Sequence, residues 1–135
     1  MQMLDSSDIN EPEVEVTRTD QDKINKFSNL NLCYEDLEVI LKTKKDEIDY
    51  LSELETELMM IDEDELVMYK LDTSFIHLNP IKAIELTENN KQKLIKMVEG
   101  LQEDLDRCDQ EMKELKKVLY SKFGKSINLE RNDPI

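Results

Sequence analysis

Residues 62–80, DEDELVMYKLDTSFIHLNP, form the only stretch of this chain that reads neither as helix nor as polar end. Within it, Leu66 to Leu71 and Ser74 to Leu78 are rich in branched, aromatic and apolar residues, and Asp72-Thr73 supplies a turn between them. Two short strands around a two-residue turn make a β-hairpin, spanning residues 65–79. Centring the turn on Asp72-Thr73 sets Val67 opposite Leu78, Tyr69 opposite Ile76 and Leu71 opposite Ser74 on one side of the ribbon. The other side, with Met68 against His77 and Lys70 against Phe75, is mixed. A lone two-stranded ribbon is marginal in water and has two unpaired edges, and the chain offers no other strand. The hairpin therefore predicts oligomerisation.

Heptads run outward on both sides. With Phe27 as position a, the first a series is Phe27, Tyr34, Leu41, Ile48 and Glu55, and the d series is Leu30, Leu37, Lys44, Leu51 and Leu58. Thr17 or Thr19 can cap this helix, with Asp20 or Asp22 near the positive end of its dipole, and it is expected over residues 19–61. The second helix, 80–123, opens at Asn79-Pro80, where the missing proline N–H costs nothing. Its a series is Ile84, Lys91, Val98, Leu105, Met112 and Leu119; its d series is Thr87, Leu94, Leu101, Cys108 and Leu115. Gly124 marks its end, since glycine readily turns left-handed just past a helix. One antiparallel register brings each a residue near a d residue, from Phe27 with Leu115, through Tyr34 with Cys108, to Leu58 with Ile84. The expected fold is mainly α: a long antiparallel coiled-coil helical hairpin with a central two-stranded β-hairpin. Cys33 falls beside the Tyr34–Cys108 layer, so both thiols are expected buried and unlinked.

Composition bounds the rest. The chain has 135 residues, of which 37% are charged and 5% aromatic, too few bulky groups to fill a compact globule but suited to extended helices. One domain is expected over residues 17–130, with a disordered acidic tail at 1–16 and a C-terminal tail at 124–135. A formal net charge of -14 argues against nucleic acid or an anionic membrane surface as partner. No apolar run nears the roughly 18 residues of a membrane span, no Lys or Arg precedes Arg18 as a signal or basic transit peptide requires, and a cytoplasmic location is the default. The run Asp62–Glu65 lacks the glycine and spaced ligands of a calcium loop, so it reads as a solvated loop. His77 is the only histidine, without a nucleophile-and-base constellation, and it reads as a strand residue beside Met68. No phosphate loop or nucleophile elbow occurs. Neither an enzyme nor a cofactor is expected.

At the open end of the coil, Ile24, Val118, Leu119, Tyr120 and Phe123 cluster where the seam runs out of partners, and Ile127 and Leu129 follow in the tail. Two readings stand. Either these groups form an exposed binding tip, or the tail folds back over Leu119 and closes it.

The runs VTRTDQDKINKFSNLN (16–31), DEDELVMYKLDTSFIHL (62–78) and LKKVLYSKFGKSINLE (115–130) resemble the β-type, subunit 4 branch of the prefoldin chaperone family. The resemblance spans nearly all of the chain beyond residue 16. It implies a hexamer of two α-type and four β-type subunits whose hairpins join into a platform. It further implies that coiled-coil tips grip non-native proteins such as actin and tubulin and pass them to the cytosolic chaperonin without ATP. The platform contacts it points to are Leu66, Val67, Tyr69, Leu71, Phe75, Ile76 and Leu78. The client contacts are Ile24, Phe27, Leu30, Val118, Leu119, Tyr120, Phe123 and Ile127. Family members often carry Pro at the position of Met68 and Gly at that of Asp72, which leaves the turn type open. The alternatives are a coiled-coil scaffold or tether without client binding, and a parallel homodimeric rod.

Overall fold

A computed structural model describes residues 15–129. The expected acidic tail at 1–16 therefore lies outside the described residues except for Glu15 and Val16, as does the end of the C-terminal tail, 130–135. Helix α1, Arg18–Met59, and helix α2, Pro80–Phe123, flank strands β1, Val67–Leu71, and β2, Ser74–Leu78. The fold is the expected helical hairpin with a β-hairpin at its centre.

The ends of these elements follow from local chemistry. Thr17 and Asp20 form a reciprocal capping box: the Asp20 N–H donates to Thr17 Oγ1 at 3.2 Å, and the Thr17 N–H donates to Asp20 Oδ2 at 3.0 Å. Helix α1 ends at Met59 rather than 61 because its last turn tightens. The N–H groups of Met60 and Ile61 donate to the carbonyls of Glu57 and Leu58, at 3.1 and 3.3 Å. Asn79 caps α2, its Oδ1 accepting the Lys82 N–H at 2.8 Å, with Pro80 in the first turn. After Phe123 the chain turns at Gly124, φ 56°, into a short 3-10 turn over Gly124–Ser126.

The strands pair antiparallel in the register the sequence suggests, Val67 with Leu78, Tyr69 with Ile76 and Leu71 with Ser74. Asp72 has φ 57°, and no positive φ occurs at Thr73. That sign pattern belongs to a II′ hairpin turn, where glycine is usual and aspartate is tolerated through its short polar side chain.

The chain divides into two compact units. In the first, Met1–Glu38 with Glu103–Ile135, Ile24 and Phe27 of α1 pack with Cys108, Met112, Leu119 and Phe123 of α2, and with Ile127 and Leu129 beyond it. In the second, Val39–Gln102, buried Leu58, Tyr69 and Ala83 gather Leu54, Ile61, Val67, Ile76, Leu78, Ile84 and Leu86. Each core draws on both helices, as a chain that doubles back requires. Among the described residues no helix is long and apolar enough to cross a membrane.

Candidate functional site

The hairpin has two unlike faces. Side chains alternate along a strand, and the Val67, Tyr69, Ile76 and Leu78 set packs against the end of α1 and the start of α2. Tyr69 is only 8% exposed, and its hydroxyl lies 2.9 Å from Thr87 Oγ1. The Thr87 hydroxyl donates its one proton to the Ala83 carbonyl at 2.7 Å, so Tyr69 is the donor in the first bond. The ring is thus held inside its own subunit.

The expected platform contacts fall on both sides of the ribbon. Tyr69 is buried in its own chain, and Val67, Ile76 and Leu78 are half-buried against the same core, because Leu58, Ala83 and Ile84 supply the apolar neighbours that the ribbon needs. Of the expected contacts, Leu66, Leu71 and Phe75 are exposed. The outward face is the mixed one: Phe75 is 61% exposed and Met68, absent from the expected contacts, is 63% exposed, with Lys70 and His77 beside them. Met59, Met60 and Ile81, at the adjoining helix ends, are exposed too. Among the described residues the sheet has two strands, so each keeps an unpaired edge.

The end formed by the start of α1 and the close of α2 is covered rather than open. Ile24, Phe27, Leu119, Phe123 and Ile127 are buried, Leu30 and Tyr120 pack partly buried against them, and only Val118, 47% exposed, faces water. Of the two readings of this end, the structure has the second: residues past Gly124 fold back, and Ile127 and Leu129 fill the layer where the seam lacks partners. The Leu129 N–H donates to the Tyr120 hydroxyl at 3.0 Å. On the other side, Lys122 pairs with the buried Asp20 carboxylate. That bond, reinforced by the Thr17 N–H, lowers the Asp20 pKa from 3.8 to about 2.

Both thiols are free, as expected, but only one is buried. Cys108 is buried and donates to the Leu30 carbonyl at 3.1 Å, whereas Cys33 is exposed at its flanking heptad position. Burial, then the neighbouring Cys33, pushes the Cys108 thiol up.

Polar residues at seam positions find each other. Glu55 and Lys91, both at position a, pair at 3.4 Å. A hydrogen bond with Glu88, then burial, raises the Glu55 carboxyl against the pull of Lys91. Glu88 is lowered, first by the Gln92 amide and then by Glu55. Asp62 to Glu65 are exposed, and among the described residues no group of three or more His, Cys, Asp or Glu could hold a metal ion.

Known proteins resemble this chain over most of its length. A family model described as prefoldin subunit matches residues 21–126. The chain is 37% identical to prefoldin subunit 4 of Saccharomyces cerevisiae over 117 residues, 87% of this chain and 91% of the yeast protein. It is 30% identical to prefoldin subunit 4 of Homo sapiens over 122 residues, covering 90% and 91% of the two chains. The crystal structure of the prefoldin beta subunit from Thermococcus strain KS-1 superposes with a TM-score of 0.74 at 12% identity, covering 83% of this chain and 98% of that one.

Proposed function

This chain belongs to the prefoldin subunit family, and from that premise we propose that it is a β-type subunit of a heterohexameric, ATP-independent co-chaperone of the cytoplasm. In this reading other prefoldin subunits join it through the β-hairpin. Non-native polypeptides such as actin and tubulin are held where the start of α1 meets the close of α2, and are passed to the cytosolic chaperonin.

The observation that carries the reading is the outer hairpin face. Phe75 and Met68 stand in water with exposed Leu66 and Leu71 beside two open strand edges. Exposed apolar side chains beside unpaired backbone groups suit a neighbouring strand from another subunit. Ile24, Phe27, Leu119 and Phe123 form an apolar layer, covered in the free chain by Ile127 and Leu129, which a client would reach once the tail yields; one such layer buries too little area to hold a client firmly, at about 25 cal/mol per Å². Several such ends around one cavity raise avidity while each contact stays reversible. The net charge of -14 disfavours nucleic acid and anionic membranes as partners. No catalytic residue, metal or cofactor enters the reading.

The test is aggregation of denatured actin in the presence of the complex purified with its native companion subunits. A delay at near-stoichiometric ratio without nucleotide is expected. An assembled complex that gives no delay would leave a coiled-coil scaffold in place of a chaperone.

A further inference from the structure

The segment after Gly124 does more than end the chain. It runs extended at Ile127, φ -132° and ψ 142°, and places Ile127 and Leu129, two residues apart, into the layer made by Ile24, Phe27, Leu119 and Phe123. Ile127 is 3% exposed and Leu129 2%, while Asn128 between them is exposed. This is the alternation of a β-strand with one face buried, and the strand's own Leu129 N–H is received by the Tyr120 hydroxyl. The seat therefore already has an occupant, and that occupant defines what fits: an extended backbone, apolar side chains at i and i+2, and an N–H directed at Tyr120. A helix, with its apolar groups three and four apart, presents a different spacing.

We infer that Ile127–Leu129 is a built-in stand-in for a client segment, so that this end selects extended, strand-like stretches of non-native chain, and that such a stretch binds by displacing the tail. The inference rests on the chaperone reading above and adds a substrate class and a competing internal ligand to it. Tail occupancy lowers apparent client affinity by the fraction of time the seat is open. Loosening the tail then tightens binding. Removing the seat abolishes it.

The test uses the complex assembled with its native companions and two labelled peptides of one composition. One peptide alternates isoleucine with serine; the other carries the same residues at helical spacing. In the wild-type complex, saturating alternating peptide is expected to speed hydrogen exchange at the Leu129 amide by at least about tenfold, as the bond to Tyr120 is given up. The variant Ile127→Ser/Leu129→Ser is expected to bind the alternating peptide at least about fivefold tighter than wild type, with no gain for the other peptide. A chain ending at Ser126 serves as the second variant if the double substitution disturbs assembly. An unchanged or slowed Leu129 amide, weaker binding by the variants, or equal gains for both peptides overturns the inference. A wild-type complex that protects actin in the face of such results sinks the inference alone. One that neither protects actin nor binds either peptide sinks the chaperone reading and the inference together.

Discussion

Replacing Thr87 with valine keeps the shape of a fully buried side chain and deletes the acceptor for the Tyr69 hydroxyl. The expected cost is about 2 kcal/mol, because a buried O–H is left without a partner. Tyr69→Phe removes the donor instead. Thr87 still donates to Ala83, so this change is expected to cost only about 1 kcal/mol. With both substitutions no polar group is stranded, and the double variant is expected to lose about 1 kcal/mol or less, well under the sum of the single losses. Urea unfolding followed by far-UV circular dichroism reads these differences: at a slope of about 2 kcal/mol per M, Thr87→Val lowers the midpoint by about 1 M. Assembly with companion subunits is expected to survive all three changes. Additive losses would show that the two hydroxyls do not share a bond. Failed assembly of Tyr69→Phe at unchanged stability would show that the ring faces a partner and not its own helices.

Two further outcomes follow from charge placement. The Asp20 pKa is depressed from 3.8 to about 2, so its contribution to stability is present above pH 3.8 and lost as pH falls toward 2; Asp20→Asn is expected to flatten that acid limb of a urea-midpoint profile. Lys91→Met leaves the raised Glu55 carboxyl beside Glu88 without its cation, which is expected to destabilise by about 1–3 kcal/mol at neutral pH. The loss should shrink on acidification as Glu55 takes up its proton, and a loss independent of pH would contradict the ion pair.

The heptads and the hairpin register were legible because each is a repeat imposed by backbone geometry: period two placed Val67 opposite Leu78, and period three-and-a-half placed Phe27 and Cys108 in the same core. What escaped was which side of the ribbon faces inward. Val67, Tyr69, Ile76 and Leu78 form the more apolar side, and apolarity alone does not distinguish a chain's own helices from another subunit. Thr87 carried the missing signal, a hydroxyl at a d position that needs a buried partner. The closed end stayed one of two open readings for a related reason. Ile127 and Leu129 lie past the helix-ending Gly124, and two apolar residues at strand spacing leave the direction of a six-residue return unspecified. Glu55 and Lys91, which look like faults in the two apolar seams, compensate one another across the helix pair.

The central claim is that this prefoldin subunit assembles through the outward side of its hairpin, and native mass spectrometry of the chain mixed with its companion subunits tests it most directly. Wild-type chain is expected to enter a six-chain particle. Met68→Asp/Phe75→Asp is expected to stay out of that particle while keeping its helical signal, since both side chains stand in water within the free chain. Normal incorporation of the charged variant, or a wild-type chain that never enters a six-chain particle, would contradict the claim.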